Sequence, residues 1–107
     1  MHDRYMASIE AQGKLMDAGL AIINPLTNSV PVYEQGFDFG EKIYEMDLEI
    51  LRKCSCVIVL ALDGWRESKG VRMEIEAASE AGMLAVCVLP GDVEMLGKGL
   101  TECWREP

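Results

Sequence analysis

Two acidic residues occupy positions at which helical periodicity predicts apolar side chains. On a wheel of about 100° per residue, Glu74 falls in the core-facing arc of one predicted helix, and Asp47 falls in the middle of the apolar arc of the preceding helix. A buried, unpaired carboxylate is unfavourable by several kcal/mol. Because the two helices flank one predicted strand, we expect the carboxylates to share a cleft. Such a pair suits cleavage of a glycosidic bond, with one group at the anomeric carbon and the other handling protons.

Each carboxylate also has an ordinary structural interpretation. Glu74 stands near a helix start, where an acidic side chain often reaches the surface or caps a neighbour. Asp47 could pair with Arg52 or with a backbone amide of a loop. The wheels by themselves leave the functional and the structural interpretations open.

The elements that must position these carboxylates follow from the apolar pattern. Helices are predicted where apolar residues recur every three or four positions, and strands where short apolar runs end at turn residues. The predicted helices span 3–18, 40–53 and 67–82, and the predicted strands span 21–24, 56–62 and 84–89. A loop is predicted over 26–39 and a turn at 63–65. A short helix and tail are predicted over 91–107. This alternation predicts a parallel sheet with helices on both faces, whose ligands bind at the carboxyl ends of the strands.

Composition limits the class of protein. The 107 residues predict one domain over 1–107, and half of them are hydrophobic, so a globular core is expected. A net charge of −8 argues against binding a nucleic-acid polymer, which needs clustered cations, but it permits a mononucleotide. The longest apolar run, 56–62, is too short to span a bilayer, and no signal peptide is recognised. We therefore expect no membrane partner and a cytoplasmic location.

The cysteines predict neither a metal site nor a disulfide framework. Cys54 and Cys56 are two positions apart, Cys103 lies in the tail, and the only histidine is His2, so the spacing fits no zinc motif. Cys56 and Cys87 lie inside apolar strands, where a thiol packs as a small hydrophobic group. No metal and no cofactor is expected.

The segment 63–78, Asp-Gly-Trp-Arg-Glu-Ser-Lys-Gly-Val-Arg-Met-Glu-Ile-Glu-Ala-Ala, followed by Ala81-Gly82, carries the most specific motif. It resembles the signature of the nucleoside 2-deoxyribosyltransferase-like superfamily, in a small-domain branch of uncharacterised members related to nucleotide N-glycosidases. The upstream order also fits, with Arg4-Tyr5, the strand end at 23–25 and Asp47 before the apolar strand. The resemblance covers roughly residues 3–90.

The resemblance implies a flavodoxin-like or Rossmann-like three-layer sandwich with a short parallel sheet. Members open with a strand whose terminal turn forms part of the nucleoside pocket, and this chain is expected to lack that first strand. Ser55 stands where members usually carry aspartate. Members are commonly dimers or larger, and an exposed sheet edge favours self-association. We therefore expect a homodimer or a higher homo-oligomer.

The resemblance also implies roles for the acidic pair and for a serine. Glu74 would be the nucleophile that attacks the anomeric carbon and forms a glycosyl-enzyme ester. Asp47 would contact or protonate the departing base. Ser68, six residues before the glutamate, would bind a 5′-phosphate at the start of its helix, where free N–H groups favour an anion. The ordinary alternative for Ser68 is a helix N-cap.

Three further residues of the motif are implied to bind the substrate. Gly70 would let the backbone approach the ligand closely. The ordinary alternative is a glycine that the helix tolerates without any role in binding. Trp65, preceded by Gly64, could stack on a base. The ordinary alternative is an aromatic side chain that covers the core at the end of the strand.

The resulting hypothesis is cleavage or transfer of the N-glycosidic bond of a nucleoside or nucleoside 5′-monophosphate, with a small-molecule substrate and a glutamate nucleophile. The first alternative is a non-catalytic module that binds or sequesters nucleotides. The second is an inactive, truncated member or an oligomeric scaffold.

Overall fold

The computed structural model describes residues 2–105, which form five α-helices and two β-strands. In chain order they are α1 (His2–Asp17), α2 (Pro25–Glu34), α3 (Lys42–Leu51), β1 (Cys56–Leu60), α4 (Lys69–Glu80), β2 (Leu84–Val88) and α5 (Val93–Arg105), with 3₁₀ turns at Trp65–Glu67 and Pro90–Asp92. This order confirms the predicted mixed α/β class.

The sheet consists of β1 and β2, paired in parallel from Cys56 opposite Leu84 to Leu60 opposite Val88. Alternate residues of β1 enter two separate apolar clusters, because successive side chains of a strand point to opposite faces. Ile58 and Leu60 pack with residues of α1 and α5, whereas Val57 and Val59 pack with residues of α3 and α4. Helices therefore cover both faces of a short parallel sheet, as the sequence predicts.

The strand predicted at 21–24 is wrong, since those residues form no regular secondary structure. Two features explain the difference. Asn24 is the N-cap of helix α2, and Pro25 is the first residue of that helix. The end of 21–24 therefore forms the start of a helix instead of a strand. In addition, Leu20 and Ile22 pack by their side chains in the same apolar cluster as Ile58 and Leu60 of β1, but the backbone of 20–24 does not pair with that strand.

The loop predicted over 26–39 is also wrong, because α2 occupies Pro25–Glu34. The Oδ1 atom of Asn24 accepts a hydrogen bond from Leu26 N–H at 3.0 Å, and Ser29 and Val30 are buried one turn later. An Asn-Pro pair is itself a helix start signal. The sequence interpretation predicted a loop because this stretch contains Thr, Asn, Ser, Pro and Gly without a helical period. Pro31 lies inside the helix and lacks an N–H to donate.

The last helix is longer than the short helix and tail predicted over 91–107. Helix α5 runs for 13 residues, Val93–Arg105. Val93 is buried, and Leu96 and Leu100 follow at helical spacing in the cluster around Leu15. Packing against α1 therefore extends a helix that contains Gly97 and Gly99, which local propensity disfavours.

None of the helices within residues 2–105 is both long enough and apolar enough to cross a membrane. This finding agrees with the short apolar run in β1.

We predict that Val59→Ala destabilises the fold by about 2 kcal/mol, because the removed methyl groups leave a cavity in the cluster between β1 and α4. Val59 is only 4% exposed. The measurement is the free energy of unfolding in urea. Met95→Ala is the control, since Met95 is 74% exposed on α5 and its truncation should change stability by less than about 0.5 kcal/mol. Equal effects of the two substitutions would contradict the assignment of Val59 to the core.

Candidate functional site

A cavity of about 760 Å³ lies between α1 and residues 20–25 on one side and β1 with α3 on the other. Its walls are mainly apolar and include Leu15, Ile22, Leu51 and Ile58. A cavity of this size is within the range of small-molecule sites, which are typically lined by apolar groups with a few polar ones.

The two carboxylates that the sequence singles out both line this cavity. Asp47 is half-buried on α3, one turn before the buried Leu51. Glu74 is half-buried on α4, one turn before the fully buried Ala78. Leu51 and Ala78 belong to one apolar cluster, which joins α3 and α4 on the same face of β1. The packing of the two helices thereby brings Asp47 and Glu74 into one cavity.

Both carboxylates hold their protons more tightly than they would in water. Burial raises the pKa of Glu74 to about 7, and the nearby negative charge of Asp47 adds to the effect. Burial also raises the pKa of Asp47. Among the residues whose side chains the structure describes, no hydrogen bond or ion pair to either carboxylate offsets these shifts, so the pairing of Asp47 with Arg52 does not form.

This arrangement has two chemical consequences. Since no buried side-chain oxygen or nitrogen in the described part of the chain lacks a partner, the unpaired carboxylate oxygens of Asp47 and Glu74 are not fully buried and remain accessible. Since burial, and to a smaller extent the charge of Asp47, raises the pKa of Glu74 to about 7, Glu74 retains its proton close to neutral pH. Glu74 can therefore act as a nucleophile when ionised and as an acid when protonated.

Two predicted substrate-binding residues lie elsewhere, at the start of α4. Ser68 is the N-cap of this helix, and its Oγ accepts a hydrogen bond from Val71 N–H at 3.4 Å. A Cβ atom added at Gly70 would lie 3.4 Å from the ring of Tyr44, so this glycine permits close packing between α4 and α3. Neither residue lines the cavity that contains the carboxylates.

Gly64 and Trp65 line a second pocket of about 310 Å³, where the chain leaves β1. Gly64 has φ of +82°, in the left-handed region that favours glycine. Arg4 donates from Nη2 to the backbone oxygen of Asp63 at 2.6 Å, and a Cβ atom at Gly64 would lie 2.8 Å from that nitrogen. Trp65 packs beside the cluster of α3 and α4 and lies 5.2 Å from the guanidinium of Arg66.

Three polar residues of the cavity were missed by the sequence interpretation. Asn24 donates from Nδ2 to Ser8 Oγ at 2.9 Å and to Gln12 Oε1 at 3.3 Å, and all three side chains line the cavity. Ser8 and Gln12 are four positions apart and share one face of α1. The spacing of Ser8 and Gln12 and the helix-start pair Asn24-Pro25 are the sequence features from which these polar residues could have been identified.

The described cysteines, Cys54, Cys56 and Cys87, are free thiols. Burial, with a smaller contribution from Cys54, raises the pKa of Cys56, which disfavours its thiolate form. Among the residues whose side chains the structure describes, no group of three His, Cys, Asp or Glu is placed to hold a metal ion. The side chains of His2 and Cys103 lie outside that part of the chain.

The fold and the cavity define a small parallel α/β domain with an acidic pair in an apolar site. Residues 2–89 match the family described as "Domain of unknown function (DUF1937)". The match covers most of the chain, which therefore belongs to this family. No curated protein and no solved structure matches the chain.

We predict that Glu74→Gln stabilises the protein at about pH 8 and leaves its stability nearly unchanged at about pH 4. The folded state holds a proton on Glu74 between the unfolded pKa of 4.5 and the folded pKa of about 7, so its stability falls as pH rises through this window. The gain at high pH is at most about 3 kcal/mol, at 1.36 kcal/mol per pKa unit.

The measurement is urea unfolding of both proteins across that pH range. Glu76→Gln is the matched control, because Glu76 lies on the exposed face of the same helix and loses the same charge. If both substitutions shift stability equally at every pH, the burial of Glu74 is not the cause.

Proposed function

We propose that this domain cleaves or transfers the N-glycosidic bond of a nucleoside or nucleoside 5′-monophosphate. The observation that carries the proposal is the pair Glu74 and Asp47, both unpaired among the described residues, in one cavity of about 760 Å³. Desolvated carboxylates are unfavourable for stability, and their retention in an open cavity favours a chemical role.

In the proposed reaction, a carboxylate oxygen of Glu74 attacks the anomeric carbon of the sugar. The electron pair of the breaking C–N bond passes to the base nitrogen, which is protonated or contacted by Asp47. Water or a second base then attacks the glycosyl ester, which releases the sugar or a new nucleoside and frees the Glu74 carboxylate. The apolar walls exclude water and strengthen the electrostatic interactions during the first step.

The nucleoside class is supported by the resemblance of 63–78 and the upstream segments to the nucleoside 2-deoxyribosyltransferase-like superfamily. The resemblance implies that Glu74 is the nucleophile and that Ser68 binds the phosphate. The helix that Ser68 caps has 12 residues, so the free N–H groups of its first turn add to an anion's stabilisation.

A second candidate function is a module that binds nucleotides without turning them over. It is favoured by the location of Gly64 and Trp65 in the smaller pocket and of Ser68 and Gly70 at the helix start, apart from the acidic cavity. A ligand held by those residues alone lies outside the cavity that contains Glu74. Binding without base release is the result that would support this function over the first.

We further propose that the protein is a homodimer or higher oligomer and acts in the cytoplasm. Leu84 is 57% exposed at the start of β2, and Cys87 is exposed on the other face of the same strand, so the edge strand β2 favours association with another copy. The free thiols suit a reducing compartment.

We predict base release from at least one member of a panel of nucleosides, deoxynucleosides and their 5′-monophosphates, measured by chromatography. Glu74→Gln should lower the rate about a thousandfold or more, and Asp47→Asn about a hundredfold. If ionised Glu74 is the nucleophile, kcat/KM rises as pH passes through about 7, the pKa that burial and Asp47 give to this group. Glu76→Gln is the control that should keep full activity.

A rate that falls as pH rises through the same range would assign Glu74 as the acid instead of the nucleophile. Release that survives in Glu74→Gln, or no release from any substrate, would exclude the proposed reaction.

We predict that Ser68→Asp lowers kcat/KM for a nucleoside 5′-monophosphate at least about tenfold relative to the parent nucleoside. Aspartate caps a helix as well as serine does, so unfolding should change by less than about 0.5 kcal/mol, whereas its charge repels a phosphate. The measurements are both kcat/KM values and the thermal unfolding temperature. Equal losses for the two substrates would limit Ser68 to the N-cap role.

A further inference from the structure

The α1 side of the cavity carries polar groups that the proposed reaction leaves unused. Ser8 and Gln12 come from one face of α1, and Asn24 comes from the chain just before α2. They form a connected hydrogen-bond network on the wall of the same cavity that contains Glu74. Polar groups of this kind orient a ligand in a site whose other walls are apolar.

The direction of the hydrogen bonds in this network is fixed by one backbone donor. Leu26 N–H can only donate, and it lies 3.0 Å from Asn24 Oδ1, so that atom must be the amide oxygen. The opposite atom of Asn24 is then Nδ2, which must donate. Its acceptors are Ser8 Oγ at 2.9 Å and Gln12 Oε1 at 3.3 Å.

The orientation of Asn24 in turn sets the orientation of Gln12. Because Gln12 Oε1 accepts from Asn24, the nitrogen Nε2 is the end that remains for other partners. The partner that it meets is the sulfur of Met16 at 3.8 Å, and a thioether is a weak acceptor. Gln12 and Met16 both line the cavity, so a ligand there can replace the sulfur as the acceptor.

We propose that Gln12 determines base specificity, donating from Nε2 to an oxo oxygen on the substrate's base, and that Asn24 is the positioning residue that holds Gln12 in this orientation. The inference rests on the proposed function, since it assigns the base of that substrate. An amide NH₂ donates a hydrogen bond to an oxo group. It forms none with the exocyclic amino group of adenine or cytosine, because that group is also a donor. The site therefore selects oxo bases over their amino counterparts.

The experiment compares each oxo base with its amino counterpart, hypoxanthine with adenine and uracil with cytosine, in nucleosides of the same sugar. Binding is measured by calorimetry on the Glu74→Gln protein, so that turnover is not required, and kcat/KM is measured on the wild type. We expect a preference for the oxo member of about tenfold, equivalent to about 1.4 kcal/mol. In Gln12→Leu that ratio falls to about one, because neither group then meets a donor.

The sharper variant is Asn24→Asp. Aspartate still accepts from Leu26 N–H and remains a good N-cap, so the helix start is retained. Its second oxygen accepts instead of donating, so Gln12 turns its NH₂ toward Asp and presents Oε1 to the cavity. The base preference should therefore reverse in favour of the amino member, a change that a merely structural role of Asn24 would not produce. Glu10→Gln, exposed on the same helix, is the control that keeps the original ratio.

The outcomes separate this inference from the proposed function. An oxo preference in binding that disappears in Gln12→Leu and reverses in Asn24→Asp supports the inference even if no base is released, in which case the proposed reaction alone fails. Equal binding of the two members, an unchanged ratio in both variants, or no binding of either member overturns the inference, whether or not base release is observed.

Discussion

The packing of α3 and α4 against one face of β1 is the contact on which the candidate site depends. Leu51, Val57, Val59 and Ala78 form a buried cluster, and the side chain of Ala78 is small enough to let the helix approach the strand closely. Because a helix presents residues four apart on the same side, the positions one turn before Leu51 and Ala78 face the same cavity. The acidic pair is therefore placed by the apolar core rather than by any interaction of its own.

The acidic pair opposes the stability that the core provides. Burial raises the pKa of each carboxylate, and neither has a cationic partner among the residues whose side chains the structure describes. The domain is small, and residues 20–25 and β1 both line a cavity. The two apolar clusters, one on each face of the sheet, must offset both effects. Such an arrangement is typical of a site in which a few groups are held ready for a ligand.

The cavity also borders the outer edge of β1. Ala61 N–H donates to Val88 O at 2.8 Å, so alternate residues of the strand direct their backbone groups toward β2. The backbone N–H and C=O groups of Ile58 consequently point to the other side, where the sheet of the described residues has no further strand. The cavity thus combines three kinds of polar group: carboxylates from α3 and α4, amides from α1 and Asn24, and the backbone of β1.

The sequence by itself determined the elements whose apolar pattern is strong, and it singled out the acidic pair. The pattern of α3 and α4 was sufficient to locate Glu74 and Asp47 on core-facing arcs, because helical periodicity depends only on residue spacing. Tertiary structure decided the rest. Residues 21–24 form no strand because pairing requires a neighbour that the sequence does not identify, and α2 forms around Pro31 because its cap and buried face outweigh one lost hydrogen bond. The orientation of Gln12 depends on Asn24 and on Leu26 N–H, which residue spacing along α1 cannot reveal.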